Sequence, residues 1–205
     1  MKPGVIPRIV PVNEHGKETD ITHVIELADE TEAIKNFGIF RSRLLSPHHW
    51  HKLAGALTAE FTLADSEGIE KTSLAEVGDF IRINIPGPGP SAGEGYDWVR
   101  IHEITDGIVE AVDESIGLQV MPCGAPVGDS KDIAHFFDED ASSTFVIQRA
   151  GRRIRASYYG RNEIPNTKNV GVIDKLRNGL VATAAIAGIS EIQWTALLKG
   201  LLSID

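Results

Sequence analysis

At 205 residues, with 42% hydrophobic and 24% charged positions, the chain is long enough for one sizeable domain that needs no disulfide or metal to fold. A formal net charge of −9 argues against general nucleic-acid binding, which needs cations to replace phosphate counterions. A single cysteine, Cys123, excludes an internal disulfide and a cysteine-based zinc site.

The first residues are rich in Pro, Gly and charge, and positions 1–20 read as an extended N-terminal arm. Pro3, Pro7 and Pro11 interrupt the apolar character there, so no signal-peptide core is expected and the expected compartment is cytoplasmic. No run is long and apolar enough to suggest a membrane span. A short strand is expected over 21–27, then a helical turn or two over 29–35 that ends before Gly38. Ser46-Pro47 opens a helix expected over 47–58, because serine caps free N–H groups and proline lacks the N–H wasted at the first position.

Residues 77–85 alternate, with Ile81, Ile83 and Ile85 on one side, which is the period of a half-buried strand. The strand must stop at the Pro-Gly loop 86–95, with four Gly and three Pro. A strand over 97–104 puts Trp98, Arg100, His102 and Ile104 on one side. Asp106-Gly107 reads as a hairpin turn, with strands returning over 108–112 and 116–121. A short helix is expected over 132–140. Residues 142–163 read as two strands closed by Ala150-Gly151, with Phe145, Ile147, Ile154, Ala156 and Tyr158 on one face. Two helices then form a hairpin: one over about 168–187, and one opened by Ser190 and carrying Leu197, Leu198, Leu201 and Leu202 on its apolar face.

Four groups of residues bear on chemistry. His48 and His51 lie three apart and form a weak candidate for a metal pair; His102 beside Glu103, or His135 with Asp138, are third ligands by residue type only, and no His-Glu-x-x-His occurs. The basic hairpin gathers Arg149, Arg152, Arg153, Arg155 and Arg161, which pair with the chain's own acids, meet an acidic partner, or hold an anion. Adjacent acids such as Asp138, Glu139 and Asp140 do not converge on one substrate atom, and no Gly-x-Ser-x-Gly nucleophile motif occurs. Trp98, His102, Tyr158 and Arg155 are candidates to line a cleft.

These patterns predict an α+β fold over 1–205 as a single domain. An antiparallel sheet or small open barrel spans about 60–160. A C-terminal helical hairpin within 164–205 packs on the sheet or on a second copy. With no catalytic motif and no cofactor implied, the first functional reading is a non-enzymatic module that binds a protein partner or assembles into a homo-oligomer. The alternative is a small-ligand binder or enzyme with a cleft between the sheet and the 86–95 loop.

Overall fold

The computed structural model describes residues 7–55, 59–84, 95–107, 113–127, 133–166 and 191–204. Seven strands form one antiparallel sheet: β1 Lys17–Glu26, β2 Glu60–Ala64, β3 Phe80–Asn84, β4 Asp97–Gly107, β5 Glu114–Pro122, β6 Ser142–Ala150 and β7 Arg153–Glu163. Their order is β1-β7-β6-β5-β4-β3-β2, so β2 to β7 form a plain meander and β1 closes on β7. The sheet is open, with β1 and β2 at its edges, and the expected α+β class is the observed one. Among the described residues no helix is long and apolar enough to cross a membrane.

Three helices cover one face: α1 Glu30–Leu44, α2 Trp50–Ala54 and α3, residues 191–201. α1 is longer than its sequence suggests. Asp29 accepts from the Glu32 N–H at 2.8 Å, and Glu32 accepts from the Ala28 N–H at 3.0 Å, a reciprocal cap of about 1 kcal/mol. The helix then runs through Gly38, because Ala33, Phe37, Phe40 and Leu44 form a buried stripe whose packing outweighs one glycine. The expected helix over 47–58 is shorter: a 3₁₀ turn at Pro47–His49 leads into α2, which ends at Gly55, φ 95°. Residues 56–58 lie outside the described residues.

The core lies between the sheet and these helices. Trp50 donates its indole N–H to the Arg43 and Leu44 carbonyls, satisfying the end of α1. Leu197, Leu198, Leu201 and Leu202 of α3 are buried in the same core. Gly200 allows α3 to approach α2 closely, since a Cβ there meets the Leu53 carbonyl oxygen at 2.1 Å. Arg43 ties the ends of α1 and α3 by donating to the Ser203 carbonyl at 2.6 Å.

Other expectations need correcting. Asp106 and Gly107 pair with Ile116 and Ser115, so they continue β4 instead of turning. A register shift between Ile101 and Glu103 breaks the alternation of β4, so Trp98 and Ile104 do not share a face. Residues 133–140 hold no helix; they cross the end of the sheet, where Phe137 bridges Pro165. The expected return over 108–112, the loop at 86–94 and the helix over 168–187 lie outside the described residues.

Candidate ligand site

A cavity of about 40 Å³ lies between the helix-facing side of the sheet and α3. Its apolar walls are largely rings. Trp50 lies 5.4 Å from Phe61 and 5.0 Å from Phe145, and Trp194 lies 5.2 Å from Phe145 and 5.3 Å from Tyr158, centroid to centroid. Aromatic pairs at such spacings contribute about 0.5–1.5 kcal/mol each beyond their area. The polar groups on the wall are Ser143 of β6, Tyr158 of β7, His135 of the crossing segment and Gln193 of α3.

The polar wall depends on one extra residue in β7. Thr19 pairs with Gly160 and Lys17 with Glu163, so two steps of β1 face three steps of β7. Such a bulge inverts the facing of all that follows. Before it, Ile154, Ala156 and Tyr158 face the helices; after it, Glu163 does. Asn162 carries the bend in a left-handed conformation, φ 54°, which asparagine tolerates better than most residues. Its N–H donates to Asn13 Oδ1 at 2.7 Å, and its own Oδ1 accepts from the Glu14 N–H at 2.8 Å. The N-terminal segment therefore braces the bulge.

Glu163 folds back under β7 and is 7% exposed. It comes so close to Gly160 that a Cβ there would displace its carboxylate, meeting Oε1 at 2.3 Å. Tyr158 donates its hydroxyl to Glu163 Oε1 at 3.1 Å, and Thr19 donates to Oε2 at 2.8 Å. Ser143 Oγ lies 3.1 Å from the Tyr158 hydroxyl oxygen. Burial, then the Glu163 charge, holds the Tyr158 phenol far above its usual pKa, so it stays protonated. Beside Glu163, Lys17 is ion-paired with Glu191 and links β1 to α3.

His135 accepts the Phe137 N–H on Nδ1 at 3.0 Å. Burial pushes its pKa down to about 3, so the ring is neutral and carries its proton on Nε2. Asp97 begins β4 next to this segment. Burial raises its carboxyl to about 7, partly opposed by the Phe136 N–H, and among the described residues its Oδ1 has no hydrogen-bond partner. Burial also pushes the Cys123 thiol up to about 12, which leaves it a poor nucleophile.

Of the residues singled out in the sequence, Tyr158 lines the cavity. Trp98 packs with Ala64 and Ala134 in a separate cluster, His102 is exposed, and Arg155 pairs with Gln148 and Val24 across the sheet. These four are not brought together. The arginines divide between the two ends of the hairpin. Arg149, 5% exposed, meets Glu114, Asp113 and Glu30; Arg152 and Arg153 meet Glu26. Arg161, 1% exposed, meets Asp20 at 2.6 Å and Glu18 at 3.2 Å. Among the described residues His48 and His51 each bury an Nδ1 without a hydrogen-bond partner, and no three His, Cys, Asp or Glu side chains group as metal ligands. Ser143 and Glu163 escaped the sequence analysis, and His135 entered it only as a metal-ligand candidate by residue type. The signal for Glu163 was Gly160 in a strand followed by Asn162, the mark of a bulge, and that for Ser143 was its alternation with Phe145.

No family model and no curated protein matches the chain. Among solved structures, a hypothetical protein from Helicobacter pylori superposes with a TM-score of 0.52 at 10% identity, over 97% of this chain and 95% of that one. A norcoclaurine synthase point mutant from Thalictrum flavum, in complex with a transition-state analogue, gives 0.36 at 15% identity, over 87% and 95%. Ginseng major latex-like protein 151 from Panax ginseng gives 0.35 at 14%, over 83% and 95%. The chain thus shares its α+β fold with the Helicobacter pylori protein, and the likeness is one of fold alone.

Proposed function

We propose that this chain binds a small molecule between the sheet and α3. The ligand's apolar part lies against Trp50, Phe61, Phe145 and Trp194, and its polar group meets Ser143. One observation carries the reading: an aromatic enclosure whose wall includes Tyr158, hydrogen-bonded to the buried Glu163 behind it. Ligand sites combine mostly apolar walls with a few placed polar groups. A core built for stability alone gains little from a buried carboxylate, since apolar groups of the same shape serve as well or better. The left-handed backbone at Asn162 turns that carboxylate inward and Gly160 leaves room for it, and such backbone features gather at functional sites.

A cavity of about 40 Å³ takes about three water-sized groups. A larger ligand enters as Trp194 or Gln193 rotates, a change of the kind that binding commonly brings. The protein-binding reading drew on the basic hairpin and the apolar last helix. The arginines other than Arg155 meet acids of their own chain, and the α3 leucines are covered by it, so neither feature argues for a partner.

The test is a screen of small ring fragments by ligand-observed NMR and tryptophan fluorescence, two of the three tryptophans being cavity residues. Binding that disappears in Val120→Phe, which fills the space, with the circular dichroism spectrum kept, supports the reading. A screen with no binder overturns it.

A further inference from the structure

We infer that the polar wall of the cavity has a fixed hydrogen-bond sense. Ser143 accepts from the ligand and His135 donates to it, so the site selects small planar molecules that carry both an N–H or O–H group and an acceptor. This rests on the small-molecule reading above and gives it a ligand class.

The sense starts at Glu163. A carboxylate only accepts, and its two oxygens take the hydroxyl hydrogens of Tyr158 and Thr19. Tyr158 has one hydrogen, and Glu163 holds it. Its oxygen can then only accept: it takes a hydrogen from Ser143, 3.1 Å away, and its second lone pair faces the Trp194 side chain. The Ser143 hydrogen is thereby committed to Tyr158. Among the described residues Ser143 Oγ has no other hydrogen-bond partner, and its remaining lone pair is what it offers the cavity. A ligand donor satisfies it; a ligand acceptor meets repulsion.

His135 has the opposite sense. Its Nδ1 is taken by the Phe137 N–H, so the ring presents Nε2–H, a donor. The backbone around it is itself anchored, with Asn166 donating to the His135 carbonyl at 3.2 Å. Gln193 also lines the space, but its amide offers either sense and sets neither. The surrounding rings favour a flat ligand.

Three rings of one shape test this on the full chain. Pyrazole has a donor and an acceptor, isoxazole replaces the donor N–H with oxygen, and pyrrole lacks the acceptor nitrogen. We expect pyrazole to bind at least about tenfold more tightly than isoxazole, by NMR titration. In Ser143→Ala that preference falls to within about twofold, while isoxazole binding is unchanged. Pyrazole is likewise preferred over pyrrole, and His135→Phe removes that preference. If fragments bind in the cavity but pyrazole shows no preference, or isoxazole binds better, the assigned sense is overturned and the small-molecule reading stands. If no fragment of any kind binds, both fall.

Discussion

The two faces of the central strands are buried alike and built differently. On the helix side β6 and β7 place Phe145, Ile147, Ile154, Ala156 and Tyr158 in a continuous apolar core. On the other side they place Ser142, Thr144, Gln148 and Ser157, none more than 8% exposed. That face is covered by irregular chain. Ile9 and Val10 pack on Val146 and Tyr159, Gln119 donates to the Ile9 carbonyl at 2.8 Å, and the Trp98 N–H donates to the Ala134 carbonyl. Among the described residues Thr144 Oγ1 and Ser142 Oγ have no hydrogen-bond partner there. Burial is therefore no guide to composition. The helix face is apolar and covered by helices, while the outer face is largely polar and covered by irregular segments.

Substitutions separate the two faces. The largest effect is expected from Trp50→Ala on the helix face. It removes a fully covered ring that contacts Phe61 and Phe145, and is expected to cost about 3–5 kcal/mol in chemical denaturation.

Next comes Asp97, which shares the facing of Val99 and Ile101 in β4. Its carboxyl titrates near 7 when folded against an ordinary 3.8. The folded state thus holds this proton more tightly than the unfolded chain. The stabilisation is complete below about pH 4 and is lost as pH rises through about 7, on the order of 2–4 kcal/mol. Asp97→Asn should flatten denaturation midpoints across that range and exceed the parent protein at pH 8.

Glu163→Ala strands the Tyr158 and Thr19 hydroxyls and should cost about 1–3 kcal/mol, with loss of ligand selectivity in the ring titrations. The outer face predicts the opposite sign. Thr144→Val deletes an unpartnered hydroxyl at constant shape and should leave stability unchanged or raise it by up to about 1 kcal/mol. A clear loss there would erase the distinction between the faces. The smallest effect belongs to Arg152→Ala, which removes an exposed pair with Glu26 and should change stability by less than about 1 kcal/mol.

Where periodicity was strong, the sequence was a good guide. The facing of Phe145, Ile147, Ile154, Ala156 and Tyr158 follows from alternation, and the burial of the α3 leucines follows from helical spacing. α1 was misread because glycine looked like a stop. A glycine inside a helix costs about 1 kcal/mol, and the buried stripe beyond it outweighs that. In β4 and β7 a bulge shifted the register, so residues beyond it changed face.

The sequence by itself determined the class of fold, the hairpin of β6 and β7 and the apolar face of α3. These depend on local periods of two and of about three and a half residues, which are written along the chain. Only the tertiary structure decided that Glu163 lies under Tyr158, that Ser143 completes the series, and that His135 faces the same cavity. Those placements depend on one extra residue in β7, on a brace from Asn13 and on a segment crossing the sheet end. No local period encodes such contacts, because they join residues far apart in the chain and are fixed by packing.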